Sequence, residues 1–337
     1  MSPKLFNFLS SFGVMLAGVV LLFVGSAGFE IKKNPQFLSF PQSQARAQSG
    51  GDITPAVLPK SSPTIPLKNS TDAINVTTTA AVVLVVDDNT DTVLFEKNAA
   101  TVRPLASITK LMSALVLLDL PIDWSTTTVV LAQDCDNSSH HINPGEKFEL
   151  NDLLKIALVG SSNSAINVLV RASSNTLESF TALMNDKARA LGLTSARFTD
   201  PTGLDSRNMA NAADVAQLLK VALSKEKIFS ALQTSEYYAQ PIGKKLRRIW
   251  STDWLLTRWI PSNYDKVKIA GKTGYIYDSD YNFVVKLTDK KNHSVRVVIL
   301  GSASNETRFT EARDTANWVF AHYLWPEDEG YSELVES

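Results

Sequence analysis

Ser107-Ile108-Thr109-Lys110 stands at the start of an apolar stretch, Leu111-Met112-Ser113-Ala114-Leu115-Val116-Leu117-Leu118. On a helix, that spacing stacks the serine and lysine on one face, so the lysine amine can lie against the serine hydroxyl and, when neutral, take its proton. Such a pair is a nucleophile carrying its own base. The same pattern also occurs on solvated helix surfaces with no chemistry, so its meaning depends on what the rest of the chain supplies.

Upstream, Ala80-Ala81-Val82-Val83-Leu84-Val85-Val86 is a β-branched run ending in Asp87-Asp88-Asn89-Thr90-Asp91 and followed by Thr92-Val93-Leu94-Phe95-Glu96. Two short strands around an Asx-rich turn predict a β-hairpin. Downstream, Pro121 ends or kinks the helix, and Thr126 to Leu131 reads as a strand. Asn151 is the expected cap of a helix over Asp152 to Val159, stopped by Gly160. Ser161-Ser162-Asn163 follows at the junction with a second apolar helix, Ala165 to Val170. An amphipathic helix spans Leu177 to Leu191 and stops at Gly192. Asp200-Pro201-Thr202-Gly203-Leu204 is a turn by composition, and Asn211-Ala212-Ala213-Asp214 starts a helix continuing through Val215 to Leu223. The period then changes: Val267 to Ala270, Asn282 to Thr288 and Ser294 to Leu300 read as strands, and Thr307 to Leu324 as a closing helix. Strands, a helical block, strands and a helix predict an α+β (α/β sandwich) domain, an antiparallel sheet flanked by helices, with strands from both chain ends and a helical region inserted.

Composition bounds the function. With 44% hydrophobic and 20% charged residues, 337 residues suffice for one large globular domain. A formal net charge of -1 gives no general ground for nucleic-acid binding. The densest basic cluster, Lys244-Lys245 with Arg247-Arg248, is a solvated strand or loop or else part of a substrate groove. Cys135 is the single cysteine, which excludes an intrachain disulfide and any multi-cysteine metal site. His140, His141, His293 and His322 show no metal-ligand spacing, so no metal or cofactor is expected.

From Leu5 to Phe29 no residue is charged, and Val14 to Val24 is the most apolar part. That length suits a bilayer helix of about 20 residues and exceeds the roughly 7–15 of a signal-peptide core. Residues 1–30 are therefore expected to be a signal anchor, with a cleaved signal as the alternative; Ala45-Arg46-Ala47 resembles a cleavage signature but lies well beyond the apolar run. Lys4 and Lys32-Lys33 flank both ends, so orientation does not follow from charge. Residues 31–75, rich in Ser, Pro, Gln, Thr and Asn, read as a linker, 76–326 as the folded domain, and 327–337 as an acidic, disordered tail.

Acyl transfer by serine needs a nucleophile, a base, a proton relay to the leaving group and donors for the oxyanion. Ser161-Ser162-Asn163 offers a hydroxyl and an amide at a helix junction, where simple helix capping is the competing explanation. Lys272-Thr273-Gly274 ends a predicted strand with a positive charge, a hydroxyl suited to a carboxylate, and a glycine that admits substrate to the backbone. Each pattern is weak alone. Their order, and their separate positions at helix start, helix junction and strand end, agree with one site.

These three motifs resemble those of the serine penicillin-recognising enzymes, and within them the low-molecular-mass D-alanyl-D-alanine carboxypeptidases and endopeptidases of the peptidase S11 family. The likeness extends through Thr92-Val93-Leu94-Phe95-Glu96-Lys97-Asn98, Leu105 to Met112, and Leu191 to Leu204, and covers roughly Ala80 to Trp325. It implies a β-lactamase/transpeptidase-like fold and an enzyme that works outside the cell on peptidoglycan stem peptides, with β-lactams as covalent inhibitors; the expected N-terminal anchor would tether it to the membrane. By the same resemblance Ser107 is the acylated nucleophile, Lys110 its base, and Ser161 the proton relay to the departing D-alanine. Asn163 binds the substrate amide, Lys272 stabilises charge, and Thr273 and Arg308 hold the terminal carboxylate beside Gly274. The backbone N–H groups of Ser107 and Tyr275 form the oxyanion hole. Burial and the charge of Lys272 are expected to lower the pKa of Lys110.

The chain departs from the family after Lys-Thr-Gly, with Ile276 where a threonine is usual and Ser279-Asp280 where Ala-Gly is usual. Removal of a terminal D-alanine is the expected reaction, with crosklink cleavage, which shares the same acyl-enzyme, close behind. A class A β-lactamase would need a Glu-x-x-Leu-Asn pattern between Asn163 and Lys272, and none occurs. A non-catalytic penicillin-binding sensor is the remaining alternative, and Asp280 is its main support.

Overall fold

The computed structural model describes residues 64–70, 77–136 and 141–336. The expected anchor at 1–30 and most of the 31–75 linker lie outside the described residues.

β1 (Val82–Asp87) and β2 (Val93–Lys97) form the expected hairpin, with Asp87 Oδ2 accepting the amides of Asn89 and Thr90 at 3.2 and 2.8 Å. The helical block comprises α1 (Thr109–Asp119), α2 (Leu150–Val159), α3 (Asn163–Ala172), α4 (Leu177–Ala190), α5 (Ala212–Leu223) and α6 (Glu226–Leu232). A small hairpin, β3 (Glu236–Ala239) and β4 (Arg247–Trp250), leads back to β5 (Ile269–Ile276), β6 (Asp280–Thr288) and β7 (Ser294–Ser302), and α7 (Thr307–His322) follows. The five-stranded sheet is antiparallel in the order β5-β6-β7-β1-β2. Both chain ends thus contribute strands around an inserted helical block, as the element order predicts.

Every residue of β1 is buried because both faces of the sheet are covered. Val82, Leu84 and Val86 face the helical block, whereas Val83 and Val85 join Phe309, Ala312, Ala316 and Val319 of α7 on the other side. The two-residue period of a strand sorts these side chains between the layers, each burial contributing about 1.5–3 kcal/mol. α1 is buried from Thr109 through Leu117, which makes it the central helix and carries Lys110 into the interior.

Several boundaries differ from the sequence expectation. Glu149, not Asn151, occupies the N-cap of α2, and the Asn151 side chain instead accepts a hydrogen bond from Lys227 at 2.6 Å. The strand expected from Val267 starts at Ile269, since Lys266–Lys268 forms a 3-10 turn. The expected linker reaches into the fold: Leu67–Lys68 pairs with Tyr323–Leu324, a two-residue ladder too short to carry a periodic signal. The acidic tail is not disordered through Glu336. It forms α8 (Tyr331–Glu336), and Tyr331 is buried with its hydroxyl donating to Ile65 O at 2.7 Å. Trp325 anchors this end, its indole N–H donating to Asp87 Oδ1 at 2.8 Å and its ring stacked on His293 at 4.3 Å.

Candidate active site

Ser107 sits in a 3-10 turn, Ala106–Ile108, immediately before α1. Side chains three apart eclipse one another in 3-10 geometry, which sets Lys110 directly against the serine. Ala106 holds a φ of 49°, and Gly203, itself at 89°, packs so closely that a Cβ there would lie 1.9 Å from Ala106 O. The strained turn is thus clamped by the Asp200–Leu204 segment, whose glycine is required by both conformation and space.

Lys110 is fully buried, and its Nζ lies 2.6 Å from Ser107 Oγ, 2.5 Å from Asn163 Oδ1 and 2.7 Å from Thr202 O. As an ammonium it donates to all three. As a neutral amine its two hydrogens are claimed by the amide and the carbonyl, neither of which can donate through oxygen, so its lone pair is left for the Ser107 hydroxyl. Burial lowers its pKa to about 7 against the opposing carboxylates of Asp200 and Asp136. Both acceptors are themselves held. Asp136 Oδ2 accepts from Asn163 Nδ2 at 2.6 Å, and Asp200 Oδ1 accepts from Thr202 N at 2.6 Å and Gly203 N at 2.8 Å.

The facing wall is β5. Buried Lys272 donates from Nζ to Ser161 Oγ at 2.7 Å and to Thr273 O at 3.0 Å. Ser161 holds a φ of 56°, while the neighbouring Ser162 does the capping of α3, accepting from Ala165 N at 3.3 Å. Strain at Ser161 and a plain cap at Ser162 separate the site residue of this triplet from the structural one. Gly274 lets β5 press on the Ala106–Ile108 turn, since a Cβ there would lie 2.5 Å from Leu105 O and 3.3 Å from Ile108 N. Tyr275, half exposed, stacks on Tyr281 at 4.4 Å. Arg308 is buried behind the strand, donating from Nη1 to Gly274 O at 3.1 Å and to Asn282 O at 3.3 Å.

The expected influence of Lys272 on Lys110 needs correction. Burial, followed by the charges of Lys110 and Arg308, drives Lys272 itself well toward its neutral form, so burial is left as what depresses Lys110. Asp280, at φ 55°, turns an exposed carboxylate to Arg103 at 3.4 Å, where it bridges the β5–β6 turn to the segment before Ser107.

Sequence reasoning missed Asp136, Thr252 and Asp253. Thr252 Oγ1 lies 2.6 Å from Thr273 Oγ1. Asp253 is fully buried, with Oδ1 accepting the amides of Leu255 and Leu256 at 2.9 and 3.1 Å and Oδ2 unpartnered. Burial raises its pKa to about 6 against the amide hydrogen bonds of Leu256 and Leu255 and, less, the charges of Arg308 and Lys272. Asp136 is 27 positions from Asn163, and no local pattern marks any of the three.

A part-exposed serine on a buried lysine, facing a lysine–threonine–glycine strand on a sheet with an inserted helical block, defines a serine acyl-transfer enzyme of the β-lactamase/transpeptidase-like fold. The chain belongs to the D-alanyl-D-alanine carboxypeptidase family, peptidase S11, which matches residues 68–304, and is a serine-type hydrolase of that family. It is 33% identical over 236 residues to the D-alanyl-D-alanine endopeptidase of Haemophilus influenzae, covering 68% of this chain and 79% of that protein. To the D-alanyl-D-alanine carboxypeptidase DacF of Bacillus subtilis it is 26% identical over 247 residues, covering 71% and 62%. Among solved structures, the D-alanyl-D-alanine carboxypeptidase of Mycobacterium tuberculosis aligns with a TM-score of 0.67 at 25% identity, covering 77% of this chain and 97% of that one.

Proposed function

We propose that the chain is a penicillin-sensitive D,D-peptidase, tethered by its N-terminal segment with the catalytic domain outside the cytoplasmic membrane, that cleaves peptidoglycan stem peptides through an acyl-enzyme on Ser107. The observation that carries this is the environment of Lys110 Nζ, where two fixed acceptors leave the lone pair for Ser107 and burial brings the amine to about 7. Lys110 takes the Ser107 proton as Oγ attacks the carbonyl of the penultimate D-alanine, and the N–H groups of Ser107 and Tyr275 receive the oxyanion. Ser161, held by Lys272, gives its hydroxyl proton to the departing amine and takes in exchange the proton that Lys110 gained, which returns both groups to their starting forms. Thr273, braced by Thr252, takes the leaving group's carboxylate, with Arg308 adding positive charge behind it. Asn163 orients Lys110 and also receives the substrate amide. Water then releases the acyl group by the same steps in reverse. Terminal D-alanine removal and crosslink scission share this chemistry; the higher identity to the Haemophilus endopeptidase, over more of that protein's length, favours scission as the second reading.

Ser107→Ala should abolish acylation by a fluorescent penicillin while leaving the thermal unfolding transition in place. Undiminished labelling would remove Ser107 from the mechanism.

A further inference from the structure

The basic cluster at Lys244–Arg248 lies on the β3–β4 hairpin, and strand alternation sorts its side chains between two faces. Ala239 and Ile249 turn inward and are fully buried, while Arg247 pairs with Glu146 and Tyr237 donates to Asp152. Tyr238 (50% exposed), Arg248 and Trp250 (45%) turn outward, and Ile242 (50%) and Leu246 (58%) extend this apolar surface at the tip. The Arg248 guanidinium lies 4.0 Å over the Trp250 ring and is held from Glu236 at 2.7 Å, so the stack is ordered in advance of any ligand.

The chain runs from this face directly into the active site. One residue separates Trp250 from Thr252, whose hydroxyl bonds Thr273 and whose amide donates to Val159 O, two positions before Ser161. At about 3.3 Å per residue, Trp250 lies within roughly 7 Å of Thr252 along the chain. Thr273 receives the carboxylate of the leaving group, so the surface beyond Thr252 is on the amine side of the scissile bond. A departing D-alanine ends at that carboxylate and has nothing to reach further. A crosslinked neighbour does reach further, because its amine belongs to a second stem peptide carrying additional carboxylates. Lys244, Lys245 and Arg248 match that charge, although Lys244 also stands 3.7 Å from Glu146 and Arg248 shares its charge with Glu236 at 2.7 Å.

We infer that the outward face of the β3–β4 hairpin, centred on Trp250 and Arg248, docks the amine-side stem peptide of a crosslinked peptidoglycan dimer and directs the enzyme to crosslinks. This rests on the D,D-peptidase reading above. The test measures kcat/KM of the full-length chain on a crosslinked muropeptide dimer and on a pentapeptide monomer, with products identified by mass spectrometry. Trp250→Ala and Arg248→Glu should each lose about tenfold on the dimer, mainly through KM. Pentapeptide cleavage and penicillin acylation should stay within about twofold of the parent. If Trp250→Ala also loses acylation, Arg248→Glu, at a half-exposed side chain, carries the comparison. Equal losses on both substrates, unchanged dimer cleavage, or a parent that cleaves pentapeptide but not dimer would each overturn the inference. Retention of both activities in Ser107→Ala would instead overturn the D,D-peptidase reading.

Discussion

Replacing Asp136 by Asn should move the acid limb of acylation to lower pH. The carboxylate reaches Lys110 through Asn163, by hydrogen bonds of 2.6 and 2.5 Å on either side of one amide. That geometry puts the charge roughly 6–7 Å from the amine. At an effective dielectric of about 20 the attraction is about 2.5 kcal/mol, or nearly two pKa units. Solvent on the open side of the cleft roughly halves this, leaving a shift of about one unit. The sign follows from which form reacts: the neutral amine is the base, and the carboxylate favours the ammonium. Removing the charge therefore favours the reactive form. Acylation by a fluorescent penicillin, followed by stopped flow across pH 5 to 9, should rise through a limb near about 7 in the parent and about one unit lower in Asp136→Asn. Asparagine keeps an oxygen acceptor for Asn163, so the amide stays oriented. A limb that stays in place or moves to higher pH would refute the assignment of Lys110 as the base.

Gly203→Ala should damage the nucleophile without touching a motif residue. Its Cβ would meet Ala106 O at 1.9 Å from a backbone at φ 89°, so the Ala106–Ser107 turn must shift. Acylation should fall at least about a hundredfold and stability by about 2–3 kcal/mol, read by penicillin labelling and urea unfolding; normal labelling would show that the turn is not clamped from this side. Asp253→Asn should stabilise the fold relative to the parent above about pH 6 and not at pH 4. The folded pKa, about 6, is raised above the unfolded value, so the stability of the protonated side chain is present below the unfolded pKa and lost as pH rises through about 6. Asparagine escapes that loss and should gain roughly 2–3 kcal/mol over the parent at pH 8 relative to pH 4 in urea titrations; an equal difference at both pH values would place the effect in packing.

The parts of this enzyme legible in its sequence are those in which a few consecutive residues determine local geometry. The β-branched run at Val82 to Val86 is legible as a strand, and the spacing of Ser107 and Lys110 places two side chains together whichever helical geometry the turn adopts. Lys272-Thr273-Gly274 is legible because the strand that carries it is continuous. Pairings made by two residues at a distance, such as Leu67–Lys68 with Tyr323–Leu324, have no period to detect. Thr252 is hidden for a related reason, since it acquires meaning only from the hydroxyl of Thr273, 21 positions on.

The decisive property of Lys110 belongs to this second kind. Its neighbours in sequence place it near the serine, but they do not determine its protonation. That depends on complete burial and on two acceptors, Asn163 and Thr202, which stand 53 and 92 positions away. Each is fixed in turn by a carboxylate, Asp136 or Asp200, whose charge opposes the neutral form it helps to orient. The protonation of Lys110 is therefore a compromise between desolvation, which lowers the pKa, and the anions that build the cradle, which raise it. A Ser-x-x-Lys pattern on an exposed helix has neither influence, so its lysine stays charged at neutral pH and cannot deprotonate its serine. On the proposed mechanism the same four residues are inert on a surface and reactive here because the inserted helical block closes over Lys110.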